Sequence, residues 1–133
     1  MKVEVEKGFY SVGKCRANPR KLYIFGDNWD HVGNGGQAII RDEPNVYGIS
    51  TKYSCAHSFN DKRYTENRAS IKMETDTLLD IADKYDAIVF PSRGLGTGLA
   101  ALQSLAPKTF LHLSRVLLDK FKFNNVAYLE PIN

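Results

Sequence analysis

Apolar and polar residues alternate in some parts of this chain and cluster in others, and the two patterns predict different strands. Val3 and Val5 alternate with charged residues, which is typical of a half-exposed strand at the edge of a sheet. Two short runs rich in β-forming residues, 21–28 (KLYIFGDN) and 45–51 (NVYGIST), predict two further strands. The run 86–92 (DAIVFPS) is apolar almost throughout, which predicts a strand buried on both faces.

Apolar residues at helical spacing predict the helices. The stripe over about 65–84 is the clearest, and the stripe over 107–121 starts at a proline suited to a first helical turn. A short helix is predicted at 35–43, after a glycine pair. The polar and aperiodic stretch 52–67 predicts a long loop, and 124–132 predicts a last strand.

This order of elements predicts an α/β fold in which helices cover a mixed, largely parallel sheet. The chain has 133 residues, which is the usual size of one domain, so we expect a single domain over 1–133. Hydrophobic residues make up 43% and charged residues 25%, which excludes fibrous and disordered classes. No apolar run approaches the roughly 20 residues of a membrane span, and no signal-peptide core begins the chain.

Charge and cysteine content narrow the choice of partner and compartment. The formal net charge is +3 and is scattered along the chain, so it favours an anionic partner only weakly. The two cysteines, Cys15 and Cys55, follow no zinc or disulfide pattern and suit a reducing cytoplasm. Cys55 would form a nucleophile–base pair with His57 only if both folded onto the same side. Nothing in the sequence requires a metal or another cofactor.

Two glycine-rich segments each follow a predicted strand and precede a helical segment. The first lies within 26–38 (GDNWDHVGNGGQA) and the second within 93–98 (RGLGTG). Glycines let backbone N–H groups approach a ligand closely, and a loop that enters a helix offers unpaired donors to a pyrophosphate. Ligands of α/β sheets bind beyond the carboxyl ends of strands, where both segments are expected. Tight turns also use glycine, so a purely structural role remains an alternative.

Two longer segments that contain these loops resemble the ADP-ribose-binding macrodomain family. They are YIFGDNWDHVGNGGQAII at 23–40 and IVFPSRGLGTGLAAL at 88–102, in the order of that family's two phosphate loops. The chain as a whole is similar to small, mostly phage or bacterial macrodomain-like proteins. The resemblance implies a three-layer α/β/α sandwich that holds a ligand's diphosphate between the loops. It also implies a cytoplasmic protein, in the host cytoplasm where the chain is phage-encoded. The acidic residue that usually reads adenine in the family is not identified here.

The resemblance implies where a ligand would be bound. Asn28 would lie near the distal ribose, and Arg93, beside the second loop, is the candidate for a charged contact with phosphate. The predicted ligand-binding residues are Gly26, Gly33, Gly35, Gly36, Gln37, Ala38, Arg93, Gly94, Leu95, Gly96, Thr97 and Gly98.

Three residues at the end of the second predicted strand or just beyond it are candidates for catalysis: Asp27, Asn28 and Asp30. A carboxylate at a strand end can act as a general base or orient a ribose hydroxyl, although such residues also cap turns. His31 next to Asp30 could shuttle a proton. If the protein is an enzyme, Asp27 or Asp30 is the expected base that activates a water.

The sequence therefore predicts a protein that binds ADP-ribose or a related nucleotide diphosphate derivative. In its enzymatic form it would hydrolyse an ADP-ribosyl linkage, and an ADP-ribosylated macromolecule would be its partner. Two alternatives stay open. One is a non-catalytic sponge or sensor of a nucleotide signal, for example in phage–host conflict. The other is a single-stranded nucleic-acid module that uses aromatic side chains and scattered basic residues. The oligomeric state is left open.

Overall fold

The computed structural model describes residues 1–98 and 100–126. The strands are β1 (Val3–Glu6), β2 (Lys21–Asn28), β3 (Val46–Ser54), β4 (His57–Ser58) and β5 (Ala87–Pro91). The helices are α1 (Val12–Ala17), α2 (Tyr64–Ala82), α3 (Leu102–Leu105) and α4 (Pro107–Phe121), with short 3-10 helices at Gly36–Ile40 and Asp61–Arg63. Residues 127–132 of the predicted last strand lie outside the described residues. No helix in the described ranges is long and apolar enough to cross a membrane.

The strands form one five-stranded sheet in the order β1-β5-β2-β3-β4. The pairs β1–β5, β5–β2 and β2–β3 are parallel, and β4 is antiparallel to β3. The predicted α/β fold with a mixed, largely parallel sheet is confirmed. The half-exposed strand β1 lies at an edge of this sheet, as its alternation predicts.

One local prediction was wrong, and one helix was not predicted. The stretch 52–67 is not a long loop, because β3 continues to Ser54 and turns into β4, and α2 begins at Tyr64. The end of β3 is only half buried, so it carries polar residues and lacks a clear alternation. Helix α1 was not predicted because it is short and contributes one buried residue, Cys15.

The core has two parts because successive side chains of a strand point to opposite faces of the sheet. On one face, Leu22 and Ile24 of β2 pack with apolar residues of α2 and α4. On the other face, Tyr23 and Phe25 pack with Cys15 of α1 and with residues of the first 3-10 helix. The sheet is therefore covered on both faces, and its polar chemistry is confined to edges and strand ends.

The start of α4 is capped by a residue from outside the helix. The Asp61 carboxylate accepts hydrogen bonds from the N–H of Lys108 (2.9 Å) and from the N–H (3.0 Å) and hydroxyl (2.9 Å) of Thr109. Burial opposes ionisation of Asp61, but these hydrogen bonds outweigh it and lower its pKa. Asp61 thus ties the segment before α2 to the beginning of α4.

We expect Asp61→Ala to lower the free energy of unfolding by about 1 kcal/mol at pH 7, since it removes a helix cap. The pKa of Asp61 is depressed in the folded state, so its contribution is present above the ordinary value of 3.8 and is lost as the pH falls. Urea unfolding at pH 7 and at pH 2.5 measures this. A difference between variant and parent that does not shrink at the lower pH would contradict the assignment.

Candidate functional site

The strands β2 and β5 separate toward their carboxyl ends, and the gap between them is called here the crevice. The two strands pair only where Lys21–Tyr23 faces Ala87–Val89. Beyond that point β2 continues to Asn28 beside β3, whereas β5 continues to Pro91 beside β1. Neighbouring parallel strands that separate in this way leave the type of crevice in which α/β proteins bind ligands. Both glycine loops begin at this crevice.

The side chain of Gln37 joins the two loops across the crevice. Its Oε1 accepts the N–H of Gly26 (2.9 Å), and its Nε2 donates to the carbonyl of Gly94 (3.0 Å). Where β2 and β5 stop pairing, the Tyr10 hydroxyl lies 2.7 Å from the carbonyl of Ile24 and 3.1 Å from that of Val89, so Tyr10 and Gln37 together bridge the gap. The structure therefore brings together Gly26, Gln37 and Gly94, three of the predicted ligand-binding residues.

Arg41 holds the first glycine loop in place. It donates from Nε to the carbonyl of Gly33 (2.7 Å) and from Nη2 to the carbonyl of Val32 (3.1 Å). Its Nη1 forms an ion pair with Oδ1 of Asp27 (2.7 Å), and its guanidinium lies over the Phe25 ring. The Arg41 side chain is only 13% exposed, so this cation acts within the protein.

The predicted glycines of the first loop are exposed. A Cβ added at Gly35 or Gly36 would meet no heavy atom within 4 Å, so the space beside them is open to a ligand. Gly33 and Gly36 have positive φ values of 97° and 56°, which other residues rarely adopt. Ala38, in contrast, is buried, and its N–H bonds to the carbonyl of Gly35.

The second loop is fixed by Asn125, a residue that the sequence pattern assigned to a strand. Asn125 is 2% exposed, accepts the N–H of Leu95 (2.7 Å) and donates to its carbonyl (3.0 Å). The Thr97 hydroxyl bonds to the carbonyl of Arg93 (2.6 Å). The N–H groups of Thr97 and Gly98 have no acceptor among residues 1–98 and 100–126. The loop is therefore anchored at its base by Asn125, and the N–H groups at its tip lack an acceptor in the described part of the chain.

The predicted catalytic residues lie where β2 runs into the first loop. Asn28 is buried, and its amide accepts the N–H of Asp30 (3.0 Å) and donates to the carbonyl of Val32 (2.8 Å). Asp27 is also buried, and its Oδ1 accepts the N–H of Asn28 (2.7 Å) in addition to the Arg41 contact. Asp30 is exposed and takes no part in this cluster through its side chain.

The carboxylate partner of His31 is Asp27, four residues before it, and not its neighbour Asp30. His31 Nδ1 lies 2.9 Å from Asp27 Oδ2. The backbone of His31 is left-handed, with φ of 56°, and its N–H bonds to the carbonyl of Asn28. Gly48 on β3 makes room for the pair, because a Cβ there would lie 2.6 Å from Asp27 Oδ2.

Asp27 and His31 line a pocket of about 430 Å³ between the outer edge of β3 and α2. A second pocket of about 410 Å³ adjoins it and shares His31, Met73 and Glu74. The first pocket, called here the edge pocket, is lined by Phe25, Asp27, His31, Arg41, Val46, Tyr47, Gly48, Met73, Glu74 and Thr77. It lies on the β3 side of β2, whereas the crevice lies on the β5 side.

Glu74 is the functional candidate that sequence reasoning missed. It is 9% exposed and accepts the N–H (2.9 Å) and hydroxyl (3.0 Å) of Ser50 on β3 and the hydroxyl of Ser70 (3.3 Å). Burial raises the pKa of Glu74, although the hydrogen bonds from Ser50 and Ser70 oppose the shift. Its signal in the sequence is an acid on the apolar stripe of α2, three residues after Ile71.

The remaining polar and aromatic candidates have other contacts. Cys55 and His57 have different partners: Cys55 Sγ lies beside the first loop, 3.2 Å from the carbonyl of Val32 and 3.9 Å from Asn28 Nδ2, while His57 Nδ1 contacts the hydroxyl of Ser54 (3.0 Å). The aromatic rings of Trp29, Tyr53 and Phe59 pack against one another with centroids 4.8–5.4 Å apart. Arg63 stacks on two of these rings.

No group of three or more His, Cys, Asp or Glu side chains that could hold a metal ion occurs in the described part of the chain. The fold and site define an α/β protein with a glycine-lined crevice at the carboxyl ends of two parallel strands and an acid–base pocket at the sheet edge. Residues 5–116 match the model of a family described as a family of unknown function, DUF7831, and the chain belongs to that family. No curated protein and no solved structure matches the chain.

Proposed function

We propose that this protein binds ADP-ribose or a related nucleotide diphosphate derivative in the crevice between β2 and β5, in a macrodomain-like three-layer arrangement. The observation that carries the proposal is the contact of Gln37 with both Gly26 and Gly94. It holds two glycine loops side by side at the ends of neighbouring parallel strands. A diphosphate has two anionic groups, and each loop offers donors to one of them.

The chemistry of the loops suits phosphate. Gly35 and Gly36 leave open space in the first loop, and the N–H groups of Thr97 and Gly98 in the second loop have no acceptor within residues 1–98 and 100–126. Arg93 is exposed at the start of the second loop, where its guanidinium can reach a bound anion. Most of these contacts come from backbone groups, so they favour a ligand with phosphates but do not select its nucleobase.

The contacts of Asp27 favour binding of a ligand in this crevice over its hydrolysis with Asp27 as the base. Both oxygens of Asp27 are engaged, by Arg41 and Asn28 on one side and His31 on the other. Three of the roughly four acceptor sites of this carboxylate are therefore occupied, and its side chain lines the edge pocket and not the crevice. The single-stranded nucleic-acid alternative is less favoured. It needs aromatic rings that stack on bases, whereas the rings of Trp29, Tyr53 and Phe59 pack on one another.

We expect Gly35→Asp to weaken binding of ADP-ribose at least about tenfold, because it places a carboxylate beside the bound phosphates. Position 35 has no heavy atom within 4 Å of an added Cβ and no positive φ, so the fold accommodates the side chain. Calorimetric titration with ADP-ribose, ADP and AMP at low and high salt measures the loss and its screening.

The matched control is Gly35→Asn, which has nearly the same shape without the charge and should keep affinity within about threefold. Equal losses in the two variants would show a steric effect and contradict phosphate binding by the first loop. No heat from ADP-ribose or ADP with the parent protein would overturn the proposal. Heat from oligonucleotides alone would favour the nucleic-acid alternative.

A further inference from the structure

We propose that the edge pocket is a separate hydrolytic site in which His31 acts as the general base on small, uncharged carboxylic esters. Asp27 is the positioning residue of His31, and the N–H of Gly48 is the donor for the developing oxyanion. This activity does not depend on nucleotide binding, because it uses the β3 side of β2 and not the crevice.

The orientation of His31 follows from its contact with Asp27. A carboxylate only accepts hydrogen bonds, so His31 Nδ1, 2.9 Å from Asp27 Oδ2, carries the proton. Nε2 is then the basic nitrogen, and it has no partner among residues 1–98 and 100–126. The His31 side chain is 65% exposed while Asp27 is 5% exposed, so the base reaches solvent and its anchor does not. This is the arrangement by which a carboxylate holds a catalytic imidazole in the correct tautomer.

The donor in the pocket wall comes from the backbone of β3. The N–H of Tyr23 bonds to the carbonyl of Asn45, so over residues 45–50, before the register irregularity of β3, odd-numbered backbone groups face β2 and even-numbered ones face outward. Of the outward N–H groups, that of Ser50 is taken by Glu74. β4 pairs with β3 only at Lys52 and Ser54, which leaves the N–H of Gly48 without an acceptor in the described residues.

The lining of the pocket selects the substrate class. Phe25, Val46 and Met73 contribute apolar surface, and about 430 Å³ admits a small molecule. The carboxyl groups of Asp27 and Glu74 line the same pocket as the Arg41 guanidinium, which pairs with Asp27, so the lining has no excess positive charge to attract an anion such as a phosphate. An uncharged acyl ester meets both conditions and offers a carbonyl oxygen to a backbone donor.

The reaction uses water alone as the second reactant. Nε2 of His31 takes a proton from water while the water oxygen bonds to the carbonyl carbon, and the carbonyl electron pair moves to the oxygen that faces the N–H of Gly48. When the carbonyl re-forms, the bond to the alcohol oxygen breaks. The leaving alkoxide takes the proton from His31, which gives a carboxylic acid and an alcohol and regenerates the neutral imidazole.

The test is hydrolysis of p-nitrophenyl acetate by the intact chain without nucleotide. We expect a rate at least about 100-fold above that of free imidazole at equal concentration. His31→Asn should lose about 100-fold in rate because it removes the base, and it should keep the fold because Asn tolerates positive φ. His31→Gly is also compatible with that backbone, and added imidazole should restore its activity. In Asp27→Asn, kcat should fall while KM stays within about twofold of the parent value. Nitrogen NMR of His31 in this variant should show loss of the Nδ1–H tautomer.

Two control variants exclude neighbouring nucleophiles. Cys55→Ser removes an exposed thiol, and His57→Gln removes an exposed imidazole that bonds to Ser54 and not to a carboxylate. Both should retain the parent rate within about twofold. A parent rate equal to that of imidazole, an equal loss in either control, or no rescue of His31→Gly would each overturn the proposal. A failed titration with ADP-ribose would leave it standing.

Discussion

Replacing Arg41 with methionine should lower the free energy of unfolding by about 3 kcal/mol or more at pH 7. The guanidinium is the cation beside Asp27, whose side chain is only 5% exposed, and its removal leaves a buried carboxylate without a counter-charge. The same change frees the carbonyls of Val32 and Gly33, to which Arg41 donates. Urea unfolding followed by the fluorescence of the single tryptophan measures the loss.

Two comparisons show whether the loss comes from the buried charge. Arg20→Met removes an arginine from an ion pair with Asp86 in which both side chains are more than 65% exposed, and should leave the midpoint of urea unfolding almost unchanged. The double variant Asp27→Asn, Arg41→Met should be more stable than the sum of the single changes predicts, by about 1 kcal/mol or more. Strict additivity would mean that the two side chains stabilise the fold independently.

Gly94→Ala should cost about 3 kcal/mol, as the sum of backbone strain and overpacking. Gly94 has φ of 82°, and an added Cβ would lie 2.5 Å from the backbone oxygen of Asn125. Because the Gly94 carbonyl also accepts from Gln37, the shift that relieves the clash should disturb the crevice. ADP-ribose affinity should therefore fall together with stability.

The control for this change is Gly98→Ala in the same loop. Gly98 has no heavy atom within 4 Å of an added Cβ and no positive φ, so the variant should stay within about 0.5 kcal/mol of the parent. Urea unfolding and calorimetry of both variants separate the two positions. If Gly98→Ala lowered the free energy of unfolding as much as Gly94→Ala does, the cause would be a general effect of alanine on the loop and not the clash with Asn125.

Most elements could be predicted from local patterns. The predicted segments 21–28 and 107–121 coincide with β2 and α4, since both have strong apolar runs with clear ends. The end of β3 and the short α1 could not, because each buries too few side chains to leave a periodic signal. A weak local pattern is outweighed there by sheet pairing and by packing on the second core.

The glycine loops of the candidate site could be predicted from the sequence, but the pairing of its side chains could not. The glycines of 33–36 and 94–98 stand out in the sequence, since few other residues suit turns of this kind. His31 was matched with its neighbour Asp30, whereas the structure pairs it with Asp27. A left-handed turn at His31 reverses the chain, and sequence distance says nothing about such a reversal.

The sequence by itself determined where most of the strands and helices and both glycine loops lie, because hydrophobic period and glycine content act over a few neighbouring residues. Only the tertiary structure decided that β2 and β5 separate beyond Tyr23 and Val89, and that Gln37 spans the gap between them. It also decided that Asn125 anchors the second loop. These contacts join residues 11 to 57 positions apart, and they depend on strand order and register, which no local pattern encodes.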